Sequence, residues 1–122
     1  MFSAAVLDHF SHPRNAGELA GATATVEVSN PVCGDVLRLA ARVENGRILE
    51  ARFLCRGCTT SIACASFLTE QISGRTLGEA QSLTQGSLSE GLGGLPASTL
   101  HGAQLAAEAL GALLLKLSPT GR

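Results

Sequence analysis

The sequence predicts an α+β domain in which a small three-stranded antiparallel sheet has one face packed by helices. Three observations point to it: strand-like alternation is confined to residues 22–55, helical periodicity with capping signals fills residues 59–117, and one short amphipathic segment precedes both. Strands grouped ahead of helices suit segregated layers rather than alternating strand–helix units. The chain has 122 residues and no evident linker, repeat or low-complexity stretch, so a single domain over residues 1–122 is expected.

Phe2, Val6 and Phe10 recur at i, i+4, i+8 and predict a helix over residues 2–12 with these three on its apolar face. Pro13 ends it, and Arg14-Asn15-Ala16-Gly17 reads as a loop. Residues 22–29 carry branched Thr25, Val26 and Val28 and form a strand that Asn30-Pro31 stops. Residues 36–43 and 48–55 form a hairpin for which two loops compete. A two-residue Asn45-Gly46 turn pairs Val43 with Ile48, whereas a three-residue loop with left-handed Gly46 pairs Val43 with Arg47. The second puts Leu37, Leu39, Ala41 and Val43 on one face with Leu49, Ala51, Phe53 and Cys55, leaving Arg38, Arg42, Glu50 and Arg52 on the other. Because a one-residue slip exchanges faces, apolar segregation favours the three-residue loop.

After Cys58 the period becomes helical. Residues 59–73 carry Ile62, Ser66/Phe67 and Gln71/Ile72 on a loose stripe that ends at Gly74. Thr76 with Glu79, and Ser87 with Glu90, match capping boxes and predict short helices around 77–83 and 88–92. The longest helix is expected from Ser98 or Thr99 to residue 117, with Leu100, Ala103, Ala107, Leu110, Leu114 and Leu117 on one side.

Composition excludes several function classes. Nine basic and ten acidic residues give a net charge of −1, so no basic field draws nucleic acid or an anionic membrane. Four Phe with no Trp or Tyr provide no base-stacking platform. No apolar run approaches the ~20 residues of a membrane span, and the N-terminus lacks the charged start of a signal peptide. A cytoplasmic location is therefore expected, where four cysteines read as metal-binding or reactive thiols rather than disulfides.

Ligand-type residues collect at element ends: Cys33-Gly34-Asp35 between two strands, Gly57-Cys58 at a strand-to-helix junction, and His101 at the start of the last helix. Two thiolates, an imidazole and a carboxylate that can converge point to a metal site, since thiolate and imidazole suit zinc and iron–sulfur centres. Cys58 at a helix N-terminus is placed to favour its thiolate. The spacing Cys55-Arg56-Gly57-Cys58 also admits a redox dithiol, but Cys55 shares the strand face of Phe53 and reads as core. Cys64, six residues beyond Cys58 on the helix, projects about 120° away and reads as core too. His9, His12 and Asp8 read as structural.

In this order these residues resemble the U-type iron–sulfur cluster scaffold family, the IscU proteins and the N-terminal domain of NifU. The likeness spans Val6–Phe10 with Pro13–Gly17, Asn30–Asp35, Ala51–Phe53 with Gly57-Cys58, Ser61–Ser66 with Thr69-Glu70, and Leu95-Pro96 with Leu100-His101 and residues 105–109. It implies an α+β scaffold without enzymatic turnover. Such a scaffold receives sulfur from a cysteine desulfurase, builds a [2Fe–2S] cluster from iron, and passes it to recipient apoproteins. It implies Cys33, Asp35, Cys58 and His101 as the ligands, the aspartate being the hard, exchangeable donor. The family's pattern has a third cysteine directly after the histidine, where this chain has Gly102, and its chaperone-recognition segment is reduced to Leu95-Pro96. The set Cys33, Asp35, Cys58 and His101 also suits tetrahedral zinc, so two alternatives stand beside the scaffold: a zinc-binding homologue that has lost cluster assembly, and a thiol-based sulfur carrier. Replacing Gly102 by Cys is expected to leave the fold intact, Gly being a poor helix former.

Overall fold

The computed structural model describes residues 2–31 and 34–117. The elements are α1 (Ala4–Ser11), β1 (Ala24–Ser29), β2 (Val36–Glu44), β3 (Arg47–Arg56), α2 (Thr59–Ile72), α3 (Leu77–Ala80), α4 (Gln85–Gly91), a 3₁₀ turn (Ala97–Thr99) and α5 (Leu100–Leu117). The strands form an antiparallel sheet in the order β1-β2-β3, and α2 and α5 pack against it. The expected α+β class is the observed one.

Pairing of Ala24 with Ala41, Val26 with Leu39 and Val28 with Leu37 lines the helix-covered face. Glu27 beside Arg38 keeps the other face wet. The β2–β3 register corrects the expected loop. Asn45 and Gly46 both have positive φ (52° and 75°) and make the two-residue turn, with Val43 opposite Ile48. An irregularity then shifts the register by one residue, so that Ala41 faces Ala51, Leu39 faces Phe53 and Leu37 faces Cys55. The bulge reconciles the compact turn with apolar segregation. Its consequence is that Ile48 is buried, while Leu49, expected inside, is 40% exposed.

The outer edge of β3 is occupied in two places. Phe53 N–H donates to the Asn15 carbonyl and Gly17 N–H to the Phe53 carbonyl, a single parallel bridge made by the loop after α1. Farther along, Ile48 N–H donates to the Arg75 carbonyl and Gly74 N–H to the Ile48 carbonyl. Covering an edge in this way removes a template for unwanted strand pairing.

Two helical faces and one helix start differ from expectation. On α1 the buried residues are Val6 and His9, while Phe2 and Phe10 are 39% and 40% exposed. His9 Nδ1 lies 2.8 Å from Ser66 Oγ and its ring stands edge-on to Phe67, so α1 is docked on α2 through a polar contact that an apolar stripe does not reveal. The helix α3 has the expected Thr76–Glu79 capping box, but α4 starts earlier than expected, capped by Thr84 with Ser87 rather than by Ser87 with Glu90. The buried face of α5 comprises Gly102, Ala103, Leu105, Ala106, Ala109, Leu110 and Leu113. Ala103 and Leu110 were expected there, whereas Leu100, Ala107, Leu114 and Leu117 lie at its margin. No helix among the described residues is long and apolar enough to cross a membrane.

Candidate metal centre

Three elements converge at one end of the sheet. Asp35 immediately precedes β2, in a turn closed by Gly34 N–H donating to the Asn30 carbonyl (2.7 Å) and Asn30 N–H donating to the Asp35 carbonyl (2.9 Å). Gly34 has φ +79°, a conformation that side chains other than glycine seldom adopt. Cys58 is the N-cap residue of α2, its thiol exposed and not used for capping. His101 is the second residue of α5, directed by the 3₁₀ turn before it.

One ligand atom from each of Asp35, Cys58 and His101 lies within 4.8 Å of the others. Cys58 Sγ is 3.3 Å from His101 Nε2, which is 3.9 Å from Asp35 Oδ2. Asp35 is buried, His101 half-buried and Cys58 exposed, so the group opens to solvent on the thiol side. A carboxylate, a thiol and an imidazole at this separation make a mixed O, S, N donor set that fits a borderline or soft metal ion. Cys33, the fourth expected ligand, lies outside the described residues.

The neighbouring sequence makes room for this grouping. A Cβ on Gly57 would lie 2.7 Å from Asp35 Cγ, so only glycine there lets the carboxylate rest against the backbone before Cys58. A Cβ on Gly102 would lie 2.9 Å from Thr60 Cγ2 and 3.0 Å from the Thr60 carbonyl carbon. The two helices thus meet backbone to backbone beside His101, which brings its ring to Cys58. The expectation that Cys is harmless at position 102 is therefore corrected: helix propensity favours the change, but the space is already filled. Ser61 was not singled out as a site residue. Its hydroxyl donates to Asp35 Oδ2 at 2.5 Å and lies 3.4 Å from Cys58 Sγ. The sequence signals were glycines next to Cys58 and His101 and a serine three residues after Cys58.

Among the described residues, Cys55, Cys64, His9 and His12 are not part of this group. Cys64 is fully buried, and burial pushes its thiol up to about 12. Cys55 is partly exposed, and its thiol is also pushed up to about 12, chiefly by burial and further by the charges of Asp35 and Cys58. Neither has the low-pKa setting of a reactive thiol. His12 is exposed and 3.7 Å from Asp8.

The family described as NifU-like N terminal domain matches residues 1–118. Iron-sulfur cluster assembly scaffold protein IscU 1 of Archaeoglobus fulgidus is 42% identical over 110 residues, covering 90% of this chain and 72% of that protein. Iron-sulfur cluster assembly scaffold protein IscU of Azotobacter vinelandii is 40% identical over 113 residues, covering 89% and 88%. The fold is shared with the crystal structure of a nitrogen-fixing NifU-like protein (N-terminal) from Brucella abortus, with a TM-score of 0.74 at 14% identity, over 93% of this chain and 92% of that one. With a family match over nearly its whole length, the chain belongs to the NifU-like N-terminal domain family, and it is related at this identity to the IscU scaffolds.

Proposed function

We propose that this chain is a single-domain scaffold over residues 1–122 on which an iron–sulfur cluster is assembled and from which it is passed on. The observation that carries the reading is the meeting of Asp35, Cys58 and His101, from three separate elements, within 4.8 Å. Cys33, two residues before Asp35, completes the proposed ligand set. Two thiolates suit iron–sulfur ligation, and mixed Cys and His ligation of a [2Fe–2S] cluster is chemically sound. The exposed thiol side admits sulfur, iron and an acceptor protein, while the buried carboxylate is the hard donor that a soft centre holds least firmly. In this reading the cluster is cargo, the sulfur donor is a cysteine desulfurase, the recipients are apoproteins in the cytoplasm, and the protein itself turns over no substrate.

Zinc is the second reading, favoured by the same donor set, which suits a tetrahedral ion equally. A redox or sulfur-carrying role for a Cys55–Cys58 pair has less support, because Cys55 is held protonated by burial. Anaerobic reconstitution with ferrous iron, sulfide and a thiol reductant distinguishes the first two. A [2Fe–2S] chromophore that moves to an apo-ferredoxin is expected; tight colourless metal and no chromophore would overturn the scaffold reading in favour of zinc.

A further inference from the structure

Asp35 is held from two sides by the same short stretch of chain that presents Cys58. On one side is the backbone of Gly57, where a Cβ would come within 2.7–3.0 Å of the carboxylate atoms. On the other is Ser61, 1% exposed in the first turn of α2, whose hydroxyl donates to Oδ2. Ser61 Oγ and His101 Nε2 each lie close to both Asp35 Oδ2 and Cys58 Sγ, so the four side chains form a closed ring. Three corners are metal donors. The fourth is a neutral hydroxyl, a weak ligand for a borderline or soft ion but a good hydrogen-bond donor.

We propose that Ser61 is a positioning residue for the metal centre: it holds Asp35 by Oδ2, the same oxygen that faces His101, and so fixes that oxygen beside Cys58 and His101. A serine hydroxyl carries one proton, and Cys58 and Asp35 both lie within its reach. The carboxylate takes that proton, since a hydrogen bond to an ionised acceptor is roughly twice as strong as one between neutral groups. Ser61 then faces Cys58 with a lone pair and leaves the thiolate's charge to the metal and to His101. With Oδ2 anchored by Ser61 on the side of Cys58 and His101, Asp35 presents that oxygen to the metal in a fixed direction. Partners that orient a metal's ligands commonly matter 10–100-fold in affinity.

This inference rests on the metal-centre reading, and the experiment separates the two. Co²⁺ is titrated anaerobically into the full chain and into Ser61→Ala, Ser61→Thr, Asp35→Ala and the Ser61→Ala/Asp35→Ala double variant, following the thiolate charge-transfer and ligand-field bands. Ser61→Ala is expected to weaken Co²⁺ about 10-fold or more and to change the ligand-field band, because the carboxylate is no longer aimed. Ser61→Thr, which keeps the hydroxyl, is expected to restore the parent's band. In the Asp35→Ala background, removing Ser61 is expected to change neither affinity nor band. Parent-like binding by Ser61→Ala would overturn the role, as would an equal loss with and without Asp35. A parent chain that develops no Co²⁺–thiolate band would overturn the metal-centre reading, and this role with it.

Discussion

Gly102→Ala tests whether the contact between α2 and α5 is as close as the structure has it. The added Cβ would lie 2.9 Å from Thr60 Cγ2, 3.0 Å from the Thr60 carbonyl carbon and 3.1 Å from the Ser61 amide nitrogen. Carbon pairs rest best at about 3.5–4.0 Å, and two of these three neighbours are backbone, which cannot rotate away. Thr60 is itself 1% exposed, so the helices must part or tilt to relieve the contact. Overpacking of this kind costs about 1–3 kcal/mol, and removing a glycine from the first turn of α5 returns at most about 1 kcal/mol. The balance is a loss of about 1 kcal/mol, or roughly 4 °C in Tm for a chain of this size. Gly111 is the internal control. It lies on the same helix, but its Cβ would meet nothing within 4 Å, so Gly111→Ala is expected to stabilise by about 0.5–1 kcal/mol. Urea denaturation followed by circular dichroism measures both. Since position 102 adjoins His101, Gly102→Ala is also expected to weaken Co²⁺ binding, and Gly102→Cys to be no more stable than Gly102→Ala. Equal stabilisation at positions 102 and 111 would refute the close contact, leaving helix propensity as the only effect.

Four further outcomes are expected. Gly57→Ala should displace the Asp35 carboxylate, because its Cβ would lie 2.7 Å from Asp35 Cγ, and Co²⁺ titration should show weaker binding with secondary structure unchanged. Of the three described thiols, Cys58 should react first with iodoacetamide at pH 8, since burial pushes Cys55 and Cys64 up to about 12, and peptide mass spectrometry reads the order. Cys58→Ser should abolish the Co²⁺–thiolate signal from that residue, while Cys64→Ser should cost about 1–3 kcal/mol of stability and leave the metal bound. Burial, more than the Arg14 charge, lowers the pKa of His9, so the unfolded chain binds this proton more tightly than the folded one. The stability due to neutral His9 is therefore complete above the ordinary histidine range, near pH 6.5, and declines as the pH falls below it. Urea midpoints at pH 7.5 and 5.5 should differ less in His9→Gln than in the parent.

The order of elements, the sheet's apolar and charged faces, and the identities of Asp35, Cys58 and His101 as ligand candidates were legible in the residues alone. Periodicity and local turn chemistry are short-range properties, and metal donors are few enough that their placement at element ends stands out. Three features needed the tertiary structure. The hairpin combined a two-residue turn with a bulge because turn strain and face segregation are satisfied at different points along the strands, and a one-dimensional pattern allows only a single register. On α1, His9 rather than Phe2 or Phe10 turned inward because Ser66, 57 residues away, supplies its hydrogen bond. Most consequentially, Gly57 and Gly102 look like weak spots for strand and helix when judged by propensity. Only the packing shows that the absence of a side chain is what lets the carboxylate rest against the chain beside Cys58, and lets two helix backbones approach closely enough to bring His101 to the thiol.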